Sequence, residues 1–193
     1  MTPAYFAQWE SPNLARAFLA GRSAATDPRW AASGAETAIE YAAWAEHLCG
    51  MACLKMALAA RGRDLPIHTL RRGVQAHGGY VETAGGIKGL IYAGAVAWLE
   101  SEGIAASIVL DVAPEALPGH GLFIASVHPA IRRPDAPPPG RGGHLVLVFG
   151  RDAAGRLRFH NPSGDSPATQ RDVRLSPAVF GDFFAGRGIL LPL

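Results

Sequence analysis

The stretch from Cys49 to Ala60 constrains the fold most, because read as a helix it is apolar on almost every side. Its apolar side chains cover two adjoining helical faces; they are Met51, Ala52, Leu54, Met56, Leu58 and Ala59. A helix with so little polar surface must be surrounded by other elements. We therefore expect it to be central and buried, with Gly62 just beyond its end.

The size and charge of the chain limit what can surround this helix. The 193 residues are 49% hydrophobic and 18% charged, which is enough apolar material for a sizeable core. We expect one domain over residues 1–193. The net charge of +2 is too small to predict a nucleic acid or an anionic membrane as partner.

Elements before and after residue 104 differ in their hydrophobic period. Helical patterns are predicted before it, at 36–44, 49–60, 67–74 and from 86 to about 102. Strand patterns follow at 105–112, 121–127, 144–149, 157–160 and 188–191, with a proline-rich loop at 129–143. Helices first and an antiparallel sheet afterwards predict an α+β fold.

The first forty residues are the hardest to assign, although their aromatic side chains favour packing against the body. The N-terminus has neither a basic leader nor a long apolar stretch, so we expect no signal peptide. No window reaches the roughly 18 apolar residues of a membrane span. Cys49 and Cys53 lie four apart on one predicted helix, which favours free thiols. These observations predict a cytoplasmic protein with no membrane partner.

Three residue types with complementary chemistry occur at element ends. Cys49 lies at the start of the apolar helix, His144 begins a strand after two glycines, and Asn161 follows the next strand. A cysteine, a histidine and an amide can act as nucleophile, base and the group that orients the base. A helix N-terminus and a nearby imidazolium both favour a thiolate, so we expect the thiol pKa to be lowered.

Each of these residues also has a purely structural interpretation. Cys49 could be a packed thiol, His144 a surface histidine after a loop, and Asn161 a turn residue before proline. A zinc site built from His47, Cys49, Cys53 and His144 is a further alternative, but its spacing matches no usual zinc motif. We therefore predict no metal and no cofactor. Cys53, one turn deeper in the helix, is expected to be a buried, inert thiol.

Taken together, four segments resemble the C39-like cysteine peptidases, which have a papain-like fold. Cys49–Met56 resembles the family's nucleophile helix, and His144–Asp152 is similar to its histidine strand. Phe159–Gly164 resembles the segment of the third catalytic residue, and Tyr5–Trp9 the family's start. The resemblance implies a papain-like α+β fold with a central N-terminal helix packed on an antiparallel sheet. It also implies that Gln8 helps to form an oxyanion hole.

Two departures from the family pattern stand out. Gln8 precedes Cys49 by forty-one residues, whereas the family's glutamine lies close before the cysteine, so an insertion of about thirty residues within 1–40 must loop out. Asn161 stands where the family usually has aspartate, an exchange that papain itself also shows.

The resemblance predicts hydrolysis of a peptide or amide bond through an acyl-enzyme, with Cys49, His144, Asn161 and Gln8 as site residues. An acyltransferase or cyclase of a biosynthetic pathway is the second possibility, since the same scaffold supports both outcomes. An inactive papain-fold binding module is the third. The expected partner is a peptide or acyl substrate.

Overall fold

The computed structural model describes residues 2–192 and contains seven α-helices and eight strands over that range. The helices are α1 Ala15–Leu19, α2 Ala38–Ala45, α3 Cys49–Ala59, α4 Ile67–Ala76, α5 Tyr92–Ser101, α6 Pro167–Gln170 and α7 Pro177–Phe183. The strands are β1 Glu82–Thr83, β2 Gly86–Ile87, β3 Ser107–Val109, β4 Gly121–Val127, β5 His144–Arg151, β6 Leu157–His160, β7 Val173–Leu175 and β8 Phe184–Pro192.

A six-stranded sheet carries the second half of the chain. Its order is β3-β8-β4-β5-β6-β7, and every neighbouring pair is antiparallel. Strands β1 and β2 form a separate small hairpin. Helices therefore precede an antiparallel sheet, and the predicted α+β class is confirmed.

Side-chain alternation along β5 gives the sheet two apolar faces. Leu145, Leu147 and Phe149 pack in one hydrophobic cluster with the side chains of α3. Val146 and Val148 pack in a second cluster that includes phenylalanines of α7. The sheet is thus covered on both sides, which explains why six consecutive residues of β5 are buried.

Helix α3 is central, as its apolar sequence predicts. Eight of its eleven residues are buried, its side chains contact the sheet and α4, and residues of α5 belong to the same hydrophobic cluster. Leu48 and Trp44 extend the same cluster from the turn and helix that precede α3. The first residue of α3 is Cys49, so the position predicted for it at the helix start is confirmed.

The long segment between Gln8 and Cys49 is folded on itself. At its centre lies Asp27, whose carboxylate accepts hydrogen bonds from the Ser11 hydroxyl (2.6 Å) and the Tyr41 hydroxyl (2.7 Å). Trp9, Phe18 and neighbouring alanines form a small cluster beside this network. The insertion is therefore an ordered part of the fold that closes over a buried carboxylate.

Two stretches differ from the sequence prediction. Residues 86–91 were expected to open α5, but Gly86 lies in β2 with φ +103° and the helix begins only at Tyr92. Right-handed helix requires negative φ, so Gly86 is incompatible with a helical start. Strand β7 was not predicted, because it is only three residues long, at the sheet edge, and shows no recognisable alternating pattern.

Across residues 2–192, no helix has the length and apolar character to cross a membrane.

Candidate active site

Cys49 lies where helix α3 meets the sheet. Cys49 is the first residue of α3, so its backbone N–H has no acceptor within the helix and points outwards from the helix N-terminus. The thiol is half-buried and lines a cavity of about 460 Å³. The same cavity is lined by His144 at the start of β5, so the structure brings these two predicted residues together.

His144 is held by its Nε2 atom. That nitrogen lies 2.8 Å from Asn161 Oδ1, and both side chains are buried. Asn161 Oδ1 also accepts the backbone N–H of Ser163 at 3.2 Å, which identifies it as the oxygen end of the amide. An oxygen without hydrogen can only accept, so Nε2 carries the proton and Nδ1 is the basic nitrogen of the neutral ring.

Asn161 is positioned by the backbone around it. Its N–H donates to the Gln170 carbonyl at 2.8 Å, and its own carbonyl accepts the Tyr5 hydroxyl at 3.2 Å. The turn that follows β6 is thus fixed both by the segment before β7 and by the N-terminus. Asn161 is therefore a side chain with little freedom, as an orienting residue requires.

Ser163 and Arg132 also belong to this site, although neither is among the site residues predicted from the sequence. Ser163 Oγ lies 3.0 Å from His144 Nε2. Arg132 donates to the Ser163 hydroxyl and carbonyl, both at 2.5 Å. The guanidinium is half-buried and brings a fixed positive charge next to the histidine.

Burial dominates the electrostatics of the cysteine and the histidine. Burial lowers the pKa of His144 to about 4, against the hydrogen bond to Asn161, which raises it. Burial also raises the pKa of the Cys49 thiol, although the amides of Leu145 and Gly50 and the charge of Arg132 lower it. The expected lowering of the thiol pKa is therefore wrong. The two shifts favour the uncharged forms of both groups, a thiol and a neutral imidazole.

Gln8 lies beside the same segment but not in the cavity wall. It is buried, its backbone N–H donates to the Pro162 carbonyl at 3.0 Å, and its Nε2 donates to the Ala45 carbonyl at 3.0 Å. One hydrogen of the Nε2 amide group is engaged there and the second is left for another acceptor. Despite its forty-one-residue separation from Cys49, Gln8 is thus packed between the asparagine turn and the end of α2.

A second cysteine and a second histidine close to these elements do not line the cavity. Cys53 is fully buried in the core, as expected for an inert thiol. His160 packs against Phe149, and its Nε2 lies 3.0 Å from the Pro3 carbonyl oxygen. Over residues 2–192 no three His, Cys, Asp or Glu side chains come together as a metal site would need.

The similarity of this chain to known proteins lies in its fold. No protein-family model and no curated protein sequence matches the chain. Among solved structures, the peptidase domain of Streptococcus ComA, a bi-functional ABC transporter involved in quorum sensing, is similar with a TM-score of 0.55 and 19% identity over 77% of this chain and 93% of that domain. A double-glycine-motif protease from an AMS/PCAT transporter, solved with a leader peptide, has a TM-score of 0.51 and 18% identity, covering 75% of this chain and 84% of its own.

This chain has the papain-like fold of C39-type peptidase domains. The resemblance drawn from four short segments is thus confirmed at the level of the fold. At 18–19% identity the similarity speaks for the fold alone, and the chemistry must be argued from the site itself.

Proposed function

We propose that the protein is a cysteine peptidase that hydrolyses a peptide or amide bond, with Cys49 as nucleophile, His144 as general base and acid, and Asn161 as the orienting residue. The observation that carries this proposal is the 2.8 Å contact of His144 Nε2 with Asn161 Oδ1 beside a cavity shared with Cys49. That contact leaves Nδ1 free to take the thiol proton.

Because burial favours the uncharged thiol and imidazole, the proposed proton transfer takes place during the attack. Nδ1 of His144 accepts the Cys49 proton as the sulfur attacks the carbonyl carbon, and the resulting imidazolium then protonates the leaving amine. The Cys49 N–H at the helix end is proposed to stabilise the oxyanion. Water attacks the acyl-enzyme and returns the thiol. The leader peptide bound to the AMS/PCAT protease supports a peptide as the substrate class.

The test is cleavage of a complex peptide mixture, with new termini identified by mass spectrometry. We expect cleavage by the wild type, none by Cys49→Ala, and a loss of roughly 10³-fold or more in His144→Ala. Cys53→Ala is the matched control because it removes the other thiol outside the cavity, and it should keep the cleavage.

Two results would contradict the proposal. Cleavage that survives in Cys49→Ala would assign the activity to another group or to a contaminant. An acyl adduct that accumulates on Cys49 and leaves only when an amine is added would identify an acyltransferase instead.

A further inference from the structure

A bulge in strand β8 directs one arginine towards the cavity. On β4 a single residue, Ser126, stands opposite three residues of β8, 185–187. The ladder pairs on either side are Ala125–Gly188 and Val127–Phe184. Such bulges redirect side chains and are frequent beside active sites. Here Gly186 adopts φ +67°, and Arg187 of the bulge lines the cavity that contains Cys49.

Two hydroxyl groups accompany this arginine. Ser126 and Tyr92 line the same cavity. Burial raises the pKa of Tyr92, while the neighbouring Ser126 and Arg187 side chains act in the opposite direction. A Cβ at Gly142 would lie 3.2 Å from Ser126 Oγ and 3.7 Å from an Arg187 guanidinium nitrogen, so the glycine keeps the space beside them open.

No carboxylate side chain among the described residues lines this cavity with Arg187, although Glu115 and Asp182 line a neighbouring cavity with the same arginine. Within residues 2–192 Arg187 forms no ion pair, whereas Arg71 and Arg158, for example, each contact a carboxylate. A guanidinium backed by two hydroxyl donors is suited to a carboxylate, which accepts several hydrogen bonds at once.

We propose that Arg187, Tyr92 and Ser126 bind a carboxylate of the substrate next to the bond that Cys49 attacks. The preferred substrate is therefore an acidic peptide or an acyl compound with a nearby carboxylate. Leu90 and Leu145 in the cavity wall would contact the aliphatic part that joins the two groups. This inference rests on the proposed function, because it locates the carboxylate relative to a reactive Cys49.

The test uses small alkylating reagents that come in matched pairs with and without a carboxylate. The pairs are iodoacetate with iodoacetamide, N-iodoacetylglycine with its amide, and N-iodoacetyl-β-alanine with its amide. Intact-mass kinetics at about pH 8, where the carboxylates are ionised, give the ratio of carboxylate to carboxamide rate at Cys49 for each pair. The three pairs differ in the distance between the alkylating carbon and the carboxylate, so they sample different distances between the Cys49 sulfur and the Arg187 guanidinium.

For at least one pair, we expect the ratio to be about tenfold higher in the wild type than in Arg187→Gln. Tenfold is the change in rate that corresponds to the loss of one hydrogen bond to a charged group. Arg133→Gln is the charge-matched control, because Arg133 lies outside the cavity with an 85% exposed side chain, and it should keep the wild-type ratio. Tyr92→Phe should give a smaller decrease.

The outcomes separate this inference from the proposed function. Equal ratios in the wild type and Arg187→Gln, with Cys49 readily alkylated, would overturn the carboxylate site and leave the peptidase proposal intact. A decrease of the same size in Arg133→Gln would also overturn it, since general surface charge would then explain the preference. Absence of any reaction at Cys49 with all six reagents would contradict a reactive nucleophile and therefore both proposals.

Discussion

At the scale of single residues, only the oxygen of the Asn161 side-chain amide is hydrogen-bonded. Its Oδ1 contacts His144 and the Ser163 amide, while its Nδ2 is buried without a hydrogen-bond partner among residues 2–192. A buried donor left unpaired costs about 1–3 kcal/mol. Orienting the histidine thus comes with a local loss of stability, and an aspartate at this position would not carry that amide hydrogen.

The replacement Asn161→Asp should raise the pKa of His144 from its value of about 4. A carboxylate next to the imidazole favours the charged ring by about 1–3 pH units, whereas the amide offers only a neutral acceptor. An NMR titration of the imidazole carbons measures the change. His68, whose pKa is also about 4 because of its own burial, is the internal control and should not move. An unchanged His144 would mean that the new carboxyl is protonated or turned away.

At the scale of elements, α5 packs directly on the backbone of the loop that follows α4. A Cβ at Gly94 would lie only 2.1 Å from the Gly79 nitrogen and 2.4 Å from its Cα. The loop after α4 is fixed in this place, because the Gly79 N–H donates to Val74 and its carbonyl accepts from Ile91, both at 2.8 Å. Neither side can therefore yield to a larger residue, which makes this contact a rigid joint beside the cavity residue Tyr92.

Gly94→Ala should lower the free energy of unfolding by about 1–3 kcal/mol, because the added methyl overpacks a contact between backbones. Helix propensity alone predicts the opposite sign, since alanine is favoured over glycine inside a helix by about 0.5–1 kcal/mol. Urea denaturation measures the difference. Gly150→Ala in β5 is the control, because a Cβ there meets no atom within 4 Å. A stabilised Gly94→Ala protein would show that the two segments separate easily.

At the scale of the whole molecule, several histidines are buried in the neutral form. Burial lowers the pKa of His68 and of His144 to about 4 each, and it lowers the pKa of His160 as well. The unfolded chain binds protons on these groups at an ordinary pKa of about 6.5. Between those values the unfolded state holds more protons than the folded state, so acid favours unfolding.

The free energy of unfolding should therefore decrease as the pH falls from about 6.5 to 4, by up to ~1.4 kcal/mol per pH unit for each such histidine. Urea midpoints measured at several pH values test this expectation. His68→Gln should make the dependence less steep, whereas His77→Gln, which changes an exposed histidine, should leave it unchanged. A flat profile in the wild type would show that the folded protein protonates these rings without difficulty.

The central helix, the α+β order and the residues Cys49, His144 and Asn161 were all predictable from the sequence. The reason is that each depends on local information: a helix without polar surface, a histidine at a strand start, an asparagine after a strand. The roles of these three residues, and the oxyanion role of Gln8, stay predictions until the variants are measured. The single-domain assignment of 1–193 likewise stays a prediction.

The tertiary structure decided which distant groups meet. Arg132 reaches Ser163 across thirty-one residues, and Arg187 enters the cavity only because β8 bulges opposite Ser126. Neither residue type nor sequence spacing predicts such contacts, since arginines and serines are common on protein surfaces. The thiol pKa belongs to the same class, because the helix start alone favours the thiolate while the surrounding burial, visible only in three dimensions, outweighs it.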